Sequence, residues 1–470
     1  MLRGLRNYTD ISTHHAPLLT EFLAVIYRLF GTDIMIRIIL LILVSTLVAL
    51  LTYRATNYLA GKGAALLSLL LLAILWPFYG GTNFWFDTFL PLFYMIAFVL
   101  IIESRTGKFI PLAGASMGLS FLTKQTAGAV ALVIFIMLLL RPKDFRVRFK
   151  ESVLFSIGVL IPIIAIALWY SFTGQLQDAY YWTIQYNLSP HYVILGGTRP
   201  PLNDIVRLLV ISLPITLFII FACFTTTARK LLSWNLLLAL TIGFSASLTA
   251  FPRWERWHLI PSIPFLAVAL AFTLRLLMNT RDSLKVTAIR KAITATIAIW
   301  ILAVALDVGT YYPPLLIARI VPNFTRYWPL HSYAGPAWID ERYLRSMRDM
   351  PLIAAYLNRV TKQSDKIYVC GWEGSRLYWE SKRLPAGKFY YSLPWFTCLP
   401  RFKKDLHRSF DQDPPSYVAV LKRRYPGTPS LITLGIDLKQ RGYVELTDLQ
   451  QRFPEVVIWR SPEIEQKLSR

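Results

Sequence analysis

The chain has 470 residues, 55% of them hydrophobic and 16% charged, and its 50 Lys and Arg outnumber 27 Asp and Glu for a formal net charge of +23. Soluble domains carry about 25% charged residues, so this composition excludes a soluble globular protein, a disordered chain and, with only 3 Cys, a disulfide scaffold. The mean hydropathy of +0.45 places most of the chain in a bilayer, where so large a basic excess points to loop topology before nucleic acid.

The predicted elements begin with an outer juxtamembrane segment, 1–33, whose residues 18–30 read as an amphipathic helix lying in the interface. A span needs about 20 apolar residues. Runs that reach or approach this are 34–53, 63–79, 85–102, 109–123, 127–140, 152–172, 206–226, 234–250, 259–277 and 292–308. The fourth and fifth are short, so they read as a hairpin whose turn, Lys124–Thr126, lies below the membrane surface. An interfacial linker, 309–345, rich in Tyr, Trp and Pro, follows the bundle of 34–308.

From 346 to 470 the composition is that of a soluble domain. Helices are predicted at 350–361, 401–411 and 429–441, and strands at 366–370, 416–421, 443–447 and 455–460. This alternation predicts a small α/β domain with a largely parallel sheet. The fold class is thus mainly α: a polytopic helix bundle of about ten spans with a C-terminal α/β domain. Cys370 and Cys398 admit a disulfide, but two thiols are the favoured reading, and no spacing suggests structural zinc.

Charge orients the bundle. Loops 54–62, 103–108, 141–151, 227–233 and 278–291 are all basic, whereas 80–84, 124–126, 173–205 and 251–258 are poor in Lys and Arg. The positive-inside rule then puts the first set in the cytoplasm, and residues 1–33 and everything after 308 outside an inner (plasma) membrane. An outer N-terminus with no preceding span leads us to expect a further transmembrane helix upstream of Met1. Residues 309–470 carry 25 Lys and Arg against 15 Asp and Glu, a net +10 that suits contact with anionic headgroups or phosphate.

Soluble-enzyme motifs such as GxGxxG, a P-loop, HExxH and GxSxG are absent. The pair Asp411 and Asp413 has the spacing of a metal-holding DxD but reads better as a solvated helix end. Ionisable residues at membrane depth are costly and usually functional or paired. Asp87, Lys124, Arg253, Glu255, Arg256, His258 and Asp307 all fall at predicted outer ends of spans, joined on that face by Asp10, His14, His15 and Glu21. Asp87 could serve only the helix macrodipole, Lys124 could snorkel, and Glu255 could neutralise an arginine. Arg253, Arg256 and His258 could instead bind phosphate through charge-assisted hydrogen bonds. The adjacent His14 and His15 leave a divalent metal open without supplying a ligand set.

Several of these stretches resemble GT-C membrane glycosyltransferases, particularly the protein O-mannosyltransferase and aminoarabinose transferase type (family 39-like). They are Asn7 to Asp10, His14 to Leu19, Leu29 to Gly31 with Arg37, Gly114 to Gln125, Arg253 to Pro264, and Asp365 to Pro385. The resemblance implies transfer of a sugar from a polyprenyl-phosphate lipid to an extracytoplasmic acceptor. It implies an aspartate in the first outer loop as base, and cations stabilising the departing phosphate. Asp10 and Asp87 are then the catalytic candidates, although Asp10 matches a later element than the family's acidic motif. Lys124, Arg253, Arg256 and His258 are candidates for the donor phosphate, and His14, His15 and Gln125 for acceptor or sugar. The alternatives are a non-catalytic scaffold of envelope polysaccharide assembly and a secondary transporter, the latter disfavoured because no internal repeat is found.

Overall fold

The computed structural model describes residues 4–193 except 105 and 191, residues 205, 209, 212, 215 and 216, 233–280 except 252 and 255, and 341–468 except 372, 373, 391 and 423–429. Most of the expected span 206–226, all of 292–308, Glu255, Asp307 and most of the linker lie outside the described residues.

The remaining eight apolar runs all fall on helices. After α1 (Leu18–Phe30) come α2 (Ile34–Ala60), α3 (Lys62–Phe78), α4 (Phe86–Glu103), α5 (Ile110–Thr123), α6 (Ala127–Leu139) and α7 (Phe145–Phe172). A short α8 (Leu176–Tyr180) runs into a π-helical turn, Tyr181–Gln185, and α9 (Trp234–Leu248) and α10 (Ile263–Thr280) complete the set. Asp33 caps α2 by accepting from the Met35 N–H at 2.7 Å. Gly61 alone separates α2 from α3, with a φ of +83° that glycine adopts without steric cost. α7 begins ahead of its apolar run because Arg146, Arg148 and Lys150 are good helix formers that extend it.

Burial separates central from peripheral helices. Only 17% of the most apolar window of α2 or α7 is buried, against 67% for α4 and 78% for Trp257–Arg275. The exposed faces are apolar, with Ile38, Ile42 and Leu43 on α2 and Ile161, Ile164 and Leu168 on α7, as lipid contact requires. α5 and α6 hold 14 and 13 residues, which at 1.5 Å rise makes each only about 20 Å long. Neither spans a hydrocarbon core of about 30 Å, so the turn between them sits at depth.

α5 meets α7 at backbone distance. A Cβ on Gly114 would lie 2.1 Å from the Phe155 carbonyl oxygen, one on Gly118 2.4 Å from that of Val159, and one on Gly158 2.1 Å from that of Pro111. Gly114 and Gly118 form a GxxxG on α5, and Gly158 faces them, so packing replaces the hydrophobic effect that lipid cannot supply.

Beyond Glu341–Val360 lies a five-stranded sheet in the order β2-β1-β3-β5-β4. Its strands are β1 (Lys366–Cys370), β2 (Leu384–Pro385), β3 (Tyr417–Leu421), β4 (Val444–Glu445) and β5 (Val456–Arg460). β1 pairs in parallel with β2 and β3, whereas β5 runs antiparallel to β3 and to β4. The expected largely parallel sheet is therefore mixed. The helix expected at 429–441 does not form over the described residues 430–441, where Gly435 has φ +84° and Asp437 Oδ1 accepts from the N–H groups of Lys439 and Gln440. These turns still bring β4 in along the direction of β3; the reversal comes after β4, where the short helix Thr447–Arg452 turns the chain back and β5 inserts antiparallel between them. No disulfide joins Cys370, buried in β1, to Cys398.

The C-terminal part packs on the helices through an aromatic cluster. Tyr8, Tyr170, Trp182 and Tyr186 pack with Phe389, Trp395, Phe396 and Phe402.

Candidate functional site

Asp87 opens α4 and is fully buried. Its Oδ1 accepts from Lys124 Nζ at 2.6 Å, and its Oδ2 lies 2.8 Å from His258 Nδ1. A carboxylate cannot donate, so His258 Nδ1 carries the hydrogen of that bond. Lys124 Nζ, 3.2 Å from the same nitrogen, is then a neighbouring charge and not its donor. Three elements converge here: the start of α4, the α5–α6 turn and the 3₁₀ turn Arg256–Ser262 before α10. The shortness of α5 and α6 is what brings Lys124 down to Asp87.

Above this trio lies a cavity of about 720 Å³, lined by His14, His15, Lys124, Gln125, Arg253 and His258 among others. Its aromatic wall comprises Phe84, Trp85, Phe86, Tyr192, Trp257, Tyr390 and Trp395. Among the described residues that line it there is no Asp or Glu.

His14 and His15 are held by their backbone. The His14 carbonyl accepts from Gln125 Nε2 at 3.0 Å and Asn187 Nδ2 at 2.8 Å, and the His15 carbonyl from the Tyr8 hydroxyl at 2.8 Å. Asn187 follows the π-helical turn, whose extra residue re-aims what comes after it. The two imidazoles lie 4.1 Å apart between centroids, and His15 stacks on Phe86 at 4.0 Å. Both Nδ1 atoms, Gln125 Oε1 and Thr126 Oγ1 are buried without a hydrogen-bond partner. Burial, and then the positive field of Arg253, Lys124 and His258, pushes His14 down to about 3. Burial and then the His14 ring move His15 the same way. The pair therefore presents uncharged rings at neutral pH.

Arg253 projects from the loop after α9, with its guanidinium carbon 4.6 Å from the centre of the Trp395 ring. Trp395 belongs to the short helix Pro394–Thr397, after β2 in the C-terminal part of the chain.

The structure thus brings His14, His15, Lys124, Gln125, Arg253 and His258 to one cavity. Asp87 stands behind its wall, spent on Lys124 and His258. Asp10 is not part of the lining; it accepts from the Arg6 N–H at 2.8 Å and pairs with the Arg6 side chain. The Arg256 side chain lies outside the described residues. Asp411 and Asp413 are bound to Arg441 and Lys366, and among the described residues no three His, Cys, Asp or Glu converge on a metal position. Sequence reasoning missed Asn187, Tyr192, Tyr390 and Trp395. The aromatic run Phe84-Trp85-Phe86 immediately before Asp87 was a legible signal; Trp395, far along the chain, gave none.

Residues 14–171 match the profile of the dolichyl-phosphate-mannose-protein mannosyltransferase family. No curated protein matches the chain by sequence. Its fold is similar to that of ArnT from Cupriavidus metallidurans in the apo state, with 12% identity, a TM-score of 0.60, and 98% of this chain and 90% of that one covered. The undecaprenyl phosphate-bound ArnT gives 13% identity and a TM-score of 0.56 over 96% of this chain and 88% of that one. The Archaeoglobus fulgidus oligosaccharyltransferase tethered to an acceptor peptide gives 13% identity and a TM-score of 0.50 over 88% of this chain. The chain spans 62% of that protein's length. The family match thus covers the first third of the sequence, and beyond it the likeness is one of fold.

Proposed function

We propose that this chain is an integral membrane glycosyltransferase that takes a sugar from a polyprenyl-phosphate carrier and passes it to an acceptor on the outer face. One observation carries the reading: a cation- and aromatic-lined cavity with no described carboxylate in its wall, set at the ends of apolar helices and roofed by the C-terminal part of the chain. A lipid phosphate is the anion such a place admits. Arg253 is assigned to that phosphate, with His258 and Lys124 beside it and Arg256 as a further candidate. As the acceptor oxygen bonds to the anomeric carbon and its proton passes to water, the bond from that carbon to the phosphate oxygen breaks, its electron pair leaves with the phosphate, and Arg253 and Lys124 stabilise the developing charge.

The sugar belongs between the histidines and the aromatic wall. Its hydroxyls, which both donate and accept, suit the unpartnered Nδ1 atoms of His14 and His15 and Gln125 Oε1. Phe86, Trp85 and Trp257 offer ring faces to its apolar side. Asp87 holds Lys124 and His258 in place, and the reading assigns the acceptor's proton to neither Asp87 nor Asp10.

The test uses the full chain in lipid nanodiscs with a panel of radiolabelled undecaprenyl-phosphate sugars. Loss of label from the lipid to an acceptor or to water, abolished in Arg253→Ala, is the expected result. Absence of both undecaprenyl phosphate binding and sugar release would sink the reading in favour of a scaffold.

A further inference from the structure

Arg253 is the cation on which the donor reading most depends, and its position is set from the C-terminal part of the chain. Its guanidinium carbon lies over the Trp395 ring, 4.6 Å from the centroid. The in-plane N–H groups of a guanidinium are the donors that engage phosphate oxygens in pairs. The ring contact thus restrains where the guanidinium sits.

The indole is itself held from several sides. Trp395 is 1% exposed. Its carbonyl accepts from the Tyr186 hydroxyl at 2.8 Å, and Tyr186 stacks on the adjacent Phe396 at 5.4 Å with ring planes 8° apart. Phe396 in turn packs edge-on to His14 at 5.3 Å. A second tie to the C-terminal part is made where Ser12 N–H donates to the Lys388 carbonyl at 3.0 Å. The segment Leu393–Phe396 is thus clamped between the π-helical turn, the His14–His15 strap and Arg253.

We propose that Trp395 is the positioning residue for the donor phosphate: the docked C-terminal part sets the position of the Arg253 guanidinium and so completes the phosphate site. This rests on the glycosyltransferase reading given above. It makes the C-terminal part of the chain a contributor to the donor site, not an appended module that recognises acceptors alone.

The experiment measures undecaprenyl phosphate binding to the full chain in nanodiscs for the parent, Trp395→Phe, Trp395→Leu, Arg253→Ala and the Trp395→Leu/Arg253→Ala pair. Trp395→Leu keeps apolar volume but removes the ring, and is expected to weaken binding about tenfold; Trp395→Phe, which keeps a ring face, stays within about threefold. On the Arg253→Ala background, Trp395→Leu should change nothing further. Tyr186→Phe, which loosens Trp395 without touching either partner, should give an intermediate loss and serves if Trp395→Leu does not fold. Equal losses from Trp395→Leu with and without Arg253, or no loss from either Trp395→Leu or Tyr186→Phe, would overturn the inference while leaving the donor reading intact. A parent chain that does not bind the lipid overturns both.

Discussion

Lys124 Nζ lies 2.6 Å from Asp87 Oδ1, with the lysine side chain 9% exposed and the aspartate 0%. Thirty-seven residues separate the two in sequence, and the pair forms only because α5 is too short to carry Lys124 to the surface. A buried pair of this kind contributes little by its presence, yet breaking it strands a charge. Lys124→Met should therefore cost about 3–5 kcal/mol, and Asp87→Leu with Lys124→Met should recover most of that loss. Denaturant unfolding in mixed micelles measures both; equal losses in the single and double variants would show that the pair does not act as a unit.

The His14 ring gives the protein an acid sensitivity of definite sign. Its folded pKa is pushed down to about 3 from the ordinary 6.5, so between these values the unfolded chain binds more protons than the folded one. Stability is then full above pH 6.5 and falls as pH drops toward 3, at up to about 1.4 kcal/mol per pH unit for one such group. His14→Gln should flatten this slope between pH 6 and 4. Thermal unfolding across that range reads it, and an unchanged slope would reassign the acid sensitivity.

The contact of α5 with α7 allows no side chain. Gly158→Val and Gly114→Val each put a Cβ about 2 Å from a carbonyl oxygen, and overpacking of this sort costs about 1–3 kcal/mol or more. Gly63→Ala, where nothing lies within 4 Å, should be neutral or slightly stabilising. Detergent-solubilised melting by tryptophan fluorescence separates the two classes.

Arg253 should govern donor affinity. Loss of a charge-assisted hydrogen bond is worth about 1.5–3 kcal/mol, so Arg253→Ala should weaken undecaprenyl phosphate binding roughly 10- to 100-fold. Arg253→Lys should restore only part, since an ammonium lacks both the fork and the flat face of a guanidinium. Full restoration by lysine would mean that charge alone matters.

The bundle was legible in the sequence because lipid leaves the backbone few choices. A span must satisfy its own hydrogen bonds, so apolar length reads directly as helix, and the eight described runs fall on helices. Strands were legible where β-branched and aromatic residues cluster, as at Lys366–Cys370 and Tyr417–Leu421. Sheet direction was not, because it depends on where the chain reverses between β4 and β5 and not on the strands themselves. The ionisable residues at membrane depth were likewise visible singly, since each is expensive there.

What the sequence by itself determined is the class of molecule and the inventory of charges at the ends of its apolar runs, both consequences of local composition. Which charges are spent and which face the cavity was decided only by the fold. Asp87 and Asp10 looked alike as carboxylates, yet one is consumed by Lys124 and His258 and the other by Arg6. Arg253 meets Trp395, 142 positions away in the sequence. Pairing of charges and stacking of rings act over a few ångströms in space, and nothing in a local stretch of sequence encodes which distant residue will arrive within that range.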